Sequence, residues 1–172
     1  GRCELRSLYQ MYPSLVGAGV GGLKTGLPRY RDGFTPQQID LGRYLFFDPV
    51  LSGDGALSCA SCHNPSMGFS DGRGQSLGAG QQPLPRSAPS LWNVAFQQRL
   101  FWDASASSLE EQMLGPLYDE REMGNTRENL LDTINSSADY RLLFIQAWPE
   151  RFRSADDGVE LDQIYTAIAA FQ

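Results

Sequence analysis

The chain has 172 residues, of which 41% are hydrophobic and 20% charged, as expected of one globular domain with a substantial core. Its formal net charge of −6 disfavours nucleic acid as a partner, because the phosphate backbone attracts positive charge. No run of about 18 apolar residues occurs in the sequence, so we predict no membrane-spanning helix.

Residues 1–33 are rich in glycine, and we interpret them as an N-terminal Gly-rich arm with a short helix near residues 4–11. The sequence leaves open whether this arm is a terminal strap or a specific docking arm. One domain then extends over residues 34–172.

The first helix of that domain is predicted to begin after Thr35. Thr35 is a favourable N-cap, Pro36 suits the first turn, and Gln38 completes a capping box. Apolar residues recur at helical spacing as far as Phe46, and Asp48-Pro49 is predicted to end the helix.

A turn-rich segment then leads to Cys59-Ala60-Ser61-Cys62-His63, the C-x-x-C-H signature of a covalently attached c-type haem. Two thiols three positions apart can each add to a haem vinyl group, and the adjacent imidazole is then an axial ligand of the iron. We predict one haem c on a short helix, attached through Cys59 and Cys62, with His63 on the iron.

Three other interpretations of the motif explain it less well. A thioredoxin-like site expects a βαβ setting, which residues 50–75 do not indicate. A zinc site needs four ligands, and only Cys3 remains to join Cys59, Cys62 and His63. A structural disulfide would leave His63 unexplained.

Haem attachment of this kind occurs on the oxidising side of a membrane, so we predict a bacterial periplasmic location. Cys3 is then an odd cysteine in an oxidising compartment, and the alternatives are an intermolecular disulfide or a free thiol.

Residues 64–89 show no periodicity, and we interpret them as a loop that lines the haem pocket. Residues 90–96 predict a short helix or turn. The second half of the chain predicts four helices and no strand, so the fold class is mainly α. The four helices are one capped by Ser107 or Ser108 and ending at Gly115-Pro116, one capped by Asn125, one from Tyr140 to Trp148, and one from Leu161 to Phe171.

Several runs of residues carry a resemblance to a known family. In chain order they are Leu41–Pro49, Leu51–Gly55, Ser58–Pro65, Leu100–Asp103, Ser108–Gln112, Gly115-Pro116 and Glu122–Gly124. These runs resemble the N-terminal haem domain of the bacterial di-haem cytochrome c peroxidase / MauG family. The resemblance covers residues from about 34 to 172 and implies a cytochrome c-like haem domain with long loops.

The resemblance also implies roles for individual residues. Glu122 takes the place of the acid/base on the distal side of the haem, with Gln112 and Pro116 lining that side, and Trp102 matches a tryptophan between two haems. The alternatives from the residues alone are a solvated carboxylate for Glu122, a helix stop for Pro116, an ordinary polar residue for Gln112 and core packing for Trp102.

The chain departs from the family pattern in three respects. It contains no second C-x-x-C-H, so a second haem domain is absent from this chain and would belong to a separate part or chain. The loop after His63 offers only Met67 as a further iron ligand, which predicts an open, high-spin site. Ser87 stands where the family uses an asparagine for calcium, so calcium is doubtful here.

The function implied is the peroxide-reacting haem domain of a periplasmic di-haem enzyme. Its partners would be hydrogen peroxide and a redox protein or second haem domain. Two alternatives are a mono-haem electron-transfer cytochrome, with Met67 or Met123 as the distal ligand, and a non-catalytic haem subunit of a larger complex.

Overall fold

The computed structural model describes residues 27–154 and 156–172, and the predicted helix near residues 4–11 and Cys3 lie outside them. The described residues form seven α-helices, joined by loops and short 3₁₀ turns, and contain no β-strand. They are α1 (Pro36–Phe47), α2 (Cys59–Cys62), α3 (Leu109–Gln112), α4 (Leu114–Tyr118), α5 (Arg127–Ser136), α6 (Ala138–Ala147) and α7 (Leu161–Phe171). The mainly α prediction is confirmed, and no helix of this part of the chain is long and apolar enough to cross a membrane.

Helix α1 begins as its sequence predicts. The Thr35 hydroxyl oxygen accepts a hydrogen bond from the Gln38 N–H, and the Gln38 side chain accepts one from the Thr35 N–H. The helix ends at Phe47, and the Asp48 side chain then caps a 3₁₀ turn by accepting from the Val50 N–H.

The core forms where α1 packs on α7. Leu41 and Leu45 of α1 and Ile164 and Ile168 of α7 are buried, at 0–1% exposure. Gly42 lies at the point of closest approach, where a Cβ atom would overlap the carbonyl oxygen of Ala167. The predicted range of α7 is confirmed at both ends.

We expect Gly42→Ala to lower the free energy of unfolding by about 1–3 kcal/mol, because the added methyl group forces α1 and α7 apart. Urea unfolding measures the change. Gly74→Ala is the matched control, since a Cβ there meets nothing within 4 Å, and its effect should stay within about 0.5 kcal/mol. Equal stability of the two variants would contradict the close packing described here.

The predicted end of a helix at Gly115-Pro116 is wrong. The chain bends at Met113, between α3 and α4, and α4 continues through Pro116 to Tyr118. Pro116 is tolerated because it occupies the first turn of α4, where a backbone N–H has no partner within the helix.

Asn125 is not the cap of α5, which begins after Thr126, whose hydroxyl oxygen accepts from the Asn129 N–H. Asn125 is instead buried, and its side-chain amide donates to the carbonyl oxygen of Leu51. This long-range bond outweighs the local capping preference. Helix α6 begins at Ala138, two residues before its predicted start.

Candidate functional site

Cys59 and Cys62 lie at the two ends of the four-residue helix α2. The helix is stabilised at its start by the Ser61 hydroxyl oxygen, which accepts from the Ser58 N–H. The two cysteines are partly buried and are not joined in a disulfide. Burial raises the pKa of the Cys59 thiol to about 12. Two unbridged, partly buried thiols therefore lie on one short helix.

His63 follows directly as the C-cap of α2, and its N–H donates to the Cys59 carbonyl oxygen. Its ring Nδ1 lies 3.0 Å from the carbonyl oxygen of Phe69, and Nε2 has no hydrogen-bond partner among the described residues. A carbonyl oxygen can only accept, so Nδ1 carries the proton and the lone pair of Nε2 points away. This is the tautomer in which a histidine binds a metal, with a backbone carbonyl orienting the ring.

A tight loop places the Phe69 carbonyl oxygen beside His63. The N–H of Phe69 donates to the Asn64 carbonyl oxygen, and the N–H of Asn64 donates to that of Ser70. The Ser90 hydroxyl donates to the Gly68 carbonyl oxygen at 2.6 Å and ties the loop to a later segment. Phe69 has φ of 56°, which is unusual for an aromatic residue. The sequence interpretation did not identify this support, although Asn64-Pro65 followed by Gly68 is a turn signal.

An aromatic cluster lies behind the His63 ring. Phe46 of α1 is fully buried, and its ring centroid is 6.5 Å from that of His63 and 6.2 Å from that of Phe69. Phe171 of α7 also packs on Phe46, with the two ring centroids 5.2 Å apart. The two main core helices therefore support the histidine.

Glu122 lies in the turn after α4. The turn is closed by the N–H of Glu122, which donates to the Asp119 carbonyl oxygen, and by the N–H of Met123, which donates to that of Pro116. Pro116 therefore holds this turn through its carbonyl group, in addition to starting α4. A further contact comes from the segment Leu77–Ala79, in which the Ala79 N–H donates to the carbonyl oxygens of Arg121 and Glu122.

The same segment also contacts the cysteine helix, because the Cys62 Sγ lies 3.9 Å from the Leu77 carbonyl oxygen. Gly78 permits this double contact, since a Cβ there would overlap the carbonyl oxygen of Arg121. Burial, followed by the charges of Asp71 and Glu122, raises the pKa of Cys62. Three residues thus join the Cys62 thiol to the Glu122 turn.

The Glu122 side chain is half-buried, so a freely solvated carboxylate is not its state here. Burial raises its pKa, and repulsion by Asp119 adds to the rise while Arg121 opposes it. Arg121 is engaged with Asp119, with its Nη2 at 2.6 Å from the Asp119 carboxylate. The pKa of the Glu122 carboxyl group is therefore shifted upward, towards neutral pH.

The two other predicted site residues, Gln112 and Trp102, differ in their exposure to solvent. Gln112 is the last residue of α3 and is half-buried. Trp102 is 87% exposed, so the core-packing alternative is wrong, and the Arg86 guanidinium lies 5.8 Å from the centroid of its ring. Its loop contacts α4 through Phe101, whose ring lies against Gly115.

The two methionines considered as distal ligands differ in environment. Met123 is buried in the hydrophobic core. Met67 is 54% exposed and follows His63 by four residues, with its Cε against Gly72.

The donor set fits a covalently attached haem. Two unbridged thiols on one turn of helix can each form a thioether bond, and the unpartnered Nε2 of His63 is available to the iron. The exposed Trp92 ring packs on Phe69 of the loop after His63 and offers apolar surface there.

Comparison with known proteins identifies the group to which this arrangement is related. The sequence profile of the family described as di-haem cytochrome c peroxidase matches residues 36–172. The methylamine utilization protein MauG of Methylorubrum extorquens is 37% identical over 138 residues, which is 80% of this chain and 38% of that protein. Cytochrome c551 peroxidase of Nitrosomonas europaea is 41% identical over 143 residues, 80% of this chain and 40% of that protein.

Solved structures agree with the sequence comparison. A MauG-like protein associated with microbial copper homeostasis superimposes with a TM-score of 0.73 and 34% identity, covering 87% of this chain and 46% of that one. The diheme peroxidase BthA from Burkholderia thailandensis gives a TM-score of 0.65 and 28% identity, covering 81% of this chain and 38% of that one. The chain thus spans about two fifths of the length of the relatives it matches.

Proposed function

Because the chain belongs to the di-haem cytochrome c peroxidase family, we propose that residues 34–172 are the peroxidatic haem domain of a di-haem c-type oxidoreductase. The enzyme takes hydrogen peroxide and either reduces it or uses it to oxidise a protein substrate. Residues 1–33 are the arm that precedes this domain, and the location is the bacterial periplasm. The second haem comes from a part of the protein or a partner chain beyond these residues.

Cys59 and Cys62 hold one haem c through thioether bonds, and the Nε2 atom of His63 binds its iron. A bound haem supplies the iron at which peroxide is cleaved and holds the oxidising equivalents. The Phe69 carbonyl oxygen keeps the His63 ring in one tautomer and one orientation, which is supported by the 3.0 Å contact. No calcium is included in this proposal.

Glu122 moves the proton in this proposal. Its carboxylate oxygen accepts a proton from hydrogen peroxide and returns it to the oxygen that leaves as water. His63 is the only histidine in the chain and is committed to the cofactor, so a carboxyl group is needed for this task. The raised pKa of Glu122 supports it, because a base whose pKa lies closer to the working pH can both accept and return a proton.

The remaining predicted residues have supporting roles. Gln112 and Pro116 line the peroxide side, and Pro116 also holds the Glu122 turn through its carbonyl group. Trp102 lies on the route of electrons from the second haem. Its 87% exposure supports contact with a neighbouring domain or chain.

The observation that carries the proposal is the Leu77–Ala79 segment, which contacts both Cys62 and the Glu122 turn. It links the attachment point of the haem to a half-buried carboxyl group with a raised pKa.

We expect one covalently bound haem per chain and a high-spin ferric spectrum, because His63 is the only histidine of the chain and the loop after it offers only Met67 as a further iron ligand. Pyridine haemochrome analysis and electron paramagnetic resonance measure both quantities. A low-spin spectrum with a methionine-to-iron charge-transfer band, lost in Met67→Ala, would favour the electron-transfer cytochrome instead. In the native complex we expect two haems, of which one is high-spin.

A further inference from the structure

We propose that Arg31 is a positioning residue, which acts through Glu110 on the helices that carry Gln112 and Pro116. Arg31 precedes residues 36–172, the part of the chain that matches the family profile. The proposal rests on the function proposed above, because it assigns Arg31 to the geometry of the same site.

Arg31 and Glu110 form a two-point ion pair across 79 positions of the sequence. The Nη1 atom donates to Glu110 Oε1 at 2.9 Å, and Nη2 donates to Oε2 at 2.8 Å. The Arg31 side chain is only 8% exposed and that of Glu110 is 30% exposed. This planar, two-point arrangement sets both the distance and the angle between its partners, which a lysine ammonium does not do.

The direction in which the pKa of Glu110 is shifted agrees with a strong pair. Burial alone raises the pKa of Glu110, but the hydrogen bonds and charge of Arg31, with smaller help from the local backbone and Ser108, leave it below its ordinary value. By contrast, the pairs of Arg151 with Glu160 and Asp162 join side chains that are all at least half exposed. Exposed ion pairs of this kind contribute little to stability or to the orientation of their side chains.

Arg31 is itself held in place by its own segment. It ends a 3₁₀ turn, Arg29–Arg31, and its N–H donates to the Pro28 carbonyl oxygen at 2.7 Å. Four residues later Thr35 caps α1, the helix that supports His63 from behind through Phe46. The Arg31 backbone is therefore held close to the start of α1, the helix that supports His63.

Glu110 lies in the first turn of α3, which contacts α7 and buries Leu109 in the core. A helix of four residues has little stability of its own, so its direction depends on contacts made by its side chains. Gln112 ends α3, and the chain continues at once into α4, where the Pro116 carbonyl oxygen accepts from the Met123 N–H beside Glu122. A rotation of α3 would therefore move Gln112 directly and the Glu122 turn through α4.

The test replaces Arg31 by glutamine in the full haem-loaded chain, with Arg151→Gln as the matched control. We expect Arg31→Gln to lower the second-order rate constant with hydrogen peroxide by about tenfold, because small displacements of reacting groups are costly in rate. Amide hydrogen exchange over residues 109–118 should become faster, while haem content stays unchanged. Arg151→Gln should alter none of these quantities.

Two further variants separate positioning from stability. Exchanging the charges, Arg31→Glu with Glu110→Arg, should restore part of the rate. Ile134→Val, at a fully buried position of α5 with no assigned part in the site, should lower stability without the same loss of rate. The proposal is overturned if Arg31→Gln leaves the hydrogen exchange of residues 109–118 unchanged, or if Ile134→Val slows the reaction as much at a comparable loss of stability. The hydrogen-exchange measurement needs no peroxide. It therefore tests the role of the Arg31–Glu110 pair even where Glu122→Gln shows that the proposed chemistry is wrong.

Discussion

Replacement of Glu122 by glutamine is expected to lower the second-order rate constant for hydrogen peroxide by a factor of about 10²–10⁴, the usual contribution of a positioned acid/base group. Glutamine keeps the shape and burial of the side chain but can neither accept nor return a proton. Stopped-flow absorbance of the haem, at several peroxide concentrations, measures the rate constant. Haem content and thermal stability should remain those of the parent protein.

Glu120→Gln provides the control for this experiment. Glu120 belongs to the same turn, two residues away, but its side chain is exposed to solvent. Its replacement changes the net charge by the same amount, so any general electrostatic effect on the haem appears in both variants. Equal rate constants for the Glu122→Gln variant and the parent protein would remove Glu122 from the mechanism.

The pH dependence gives the same residue a second signature. Only the ionised carboxylate can accept a proton, so the rate constant of the parent protein should fall as the pH drops through the pKa of Glu122. Burial raises that pKa, so the fall should occur at a higher pH than for an ordinary glutamate near about 4.3. This acid limb should be absent from Glu122→Gln.

Phe46→Ala is expected to lower the free energy of unfolding by about 3–5 kcal/mol, the cost of emptying a fully buried aromatic site. The Phe46 ring contacts Phe47, Phe69 and Phe171 and also lies behind His63, so the cavity opens where the two core helices meet the haem motif. Guanidinium unfolding of the two proteins measures the difference.

Phe47→Ala is the matched control from the next position of the same helix. Phe47 is 44% exposed, so its replacement removes roughly half as much buried surface and leaves no enclosed cavity. Its cost should be about 1 kcal/mol. Similar losses in the two variants would show that Phe46 is not the closely packed centre described here.

The sequence predicted the features that depend on neighbouring residues. The capping box of Thr35 and Gln38, the range of α7 and the spacing of the cysteine motif are all read within about a dozen positions, and the first two are confirmed. The family resemblance supplied Glu122 as a candidate, and its role stays a prediction.

The features that were missed depend on partners far along the chain. Asn125 serves as a donor to Leu51 rather than as a cap, because the bond across 74 positions satisfies two buried polar groups at once. The continuation of the chain through Pro116 is a local exception, missed because Pro116 falls in the first turn of a new helix rather than at the end of the preceding one. The pairing of Arg31 with Glu110 has no local signature, since arginine and glutamate are common surface residues.

A main-chain carbonyl oxygen holds the His63 ring, and this determines which substitutions leave the histidine tautomer unchanged. A side-chain partner disappears when its residue mutates, whereas the Phe69 carbonyl oxygen remains whatever side chain stands there. The tautomer of His63 then depends on the closure of the loop, through the left-handed Gly68 and the Ser90 hydroxyl, and not on the side chain at position 69. A substitution there that accepts the same backbone angle would lose the packing on Phe46 and Trp92 but keep the histidine tautomer.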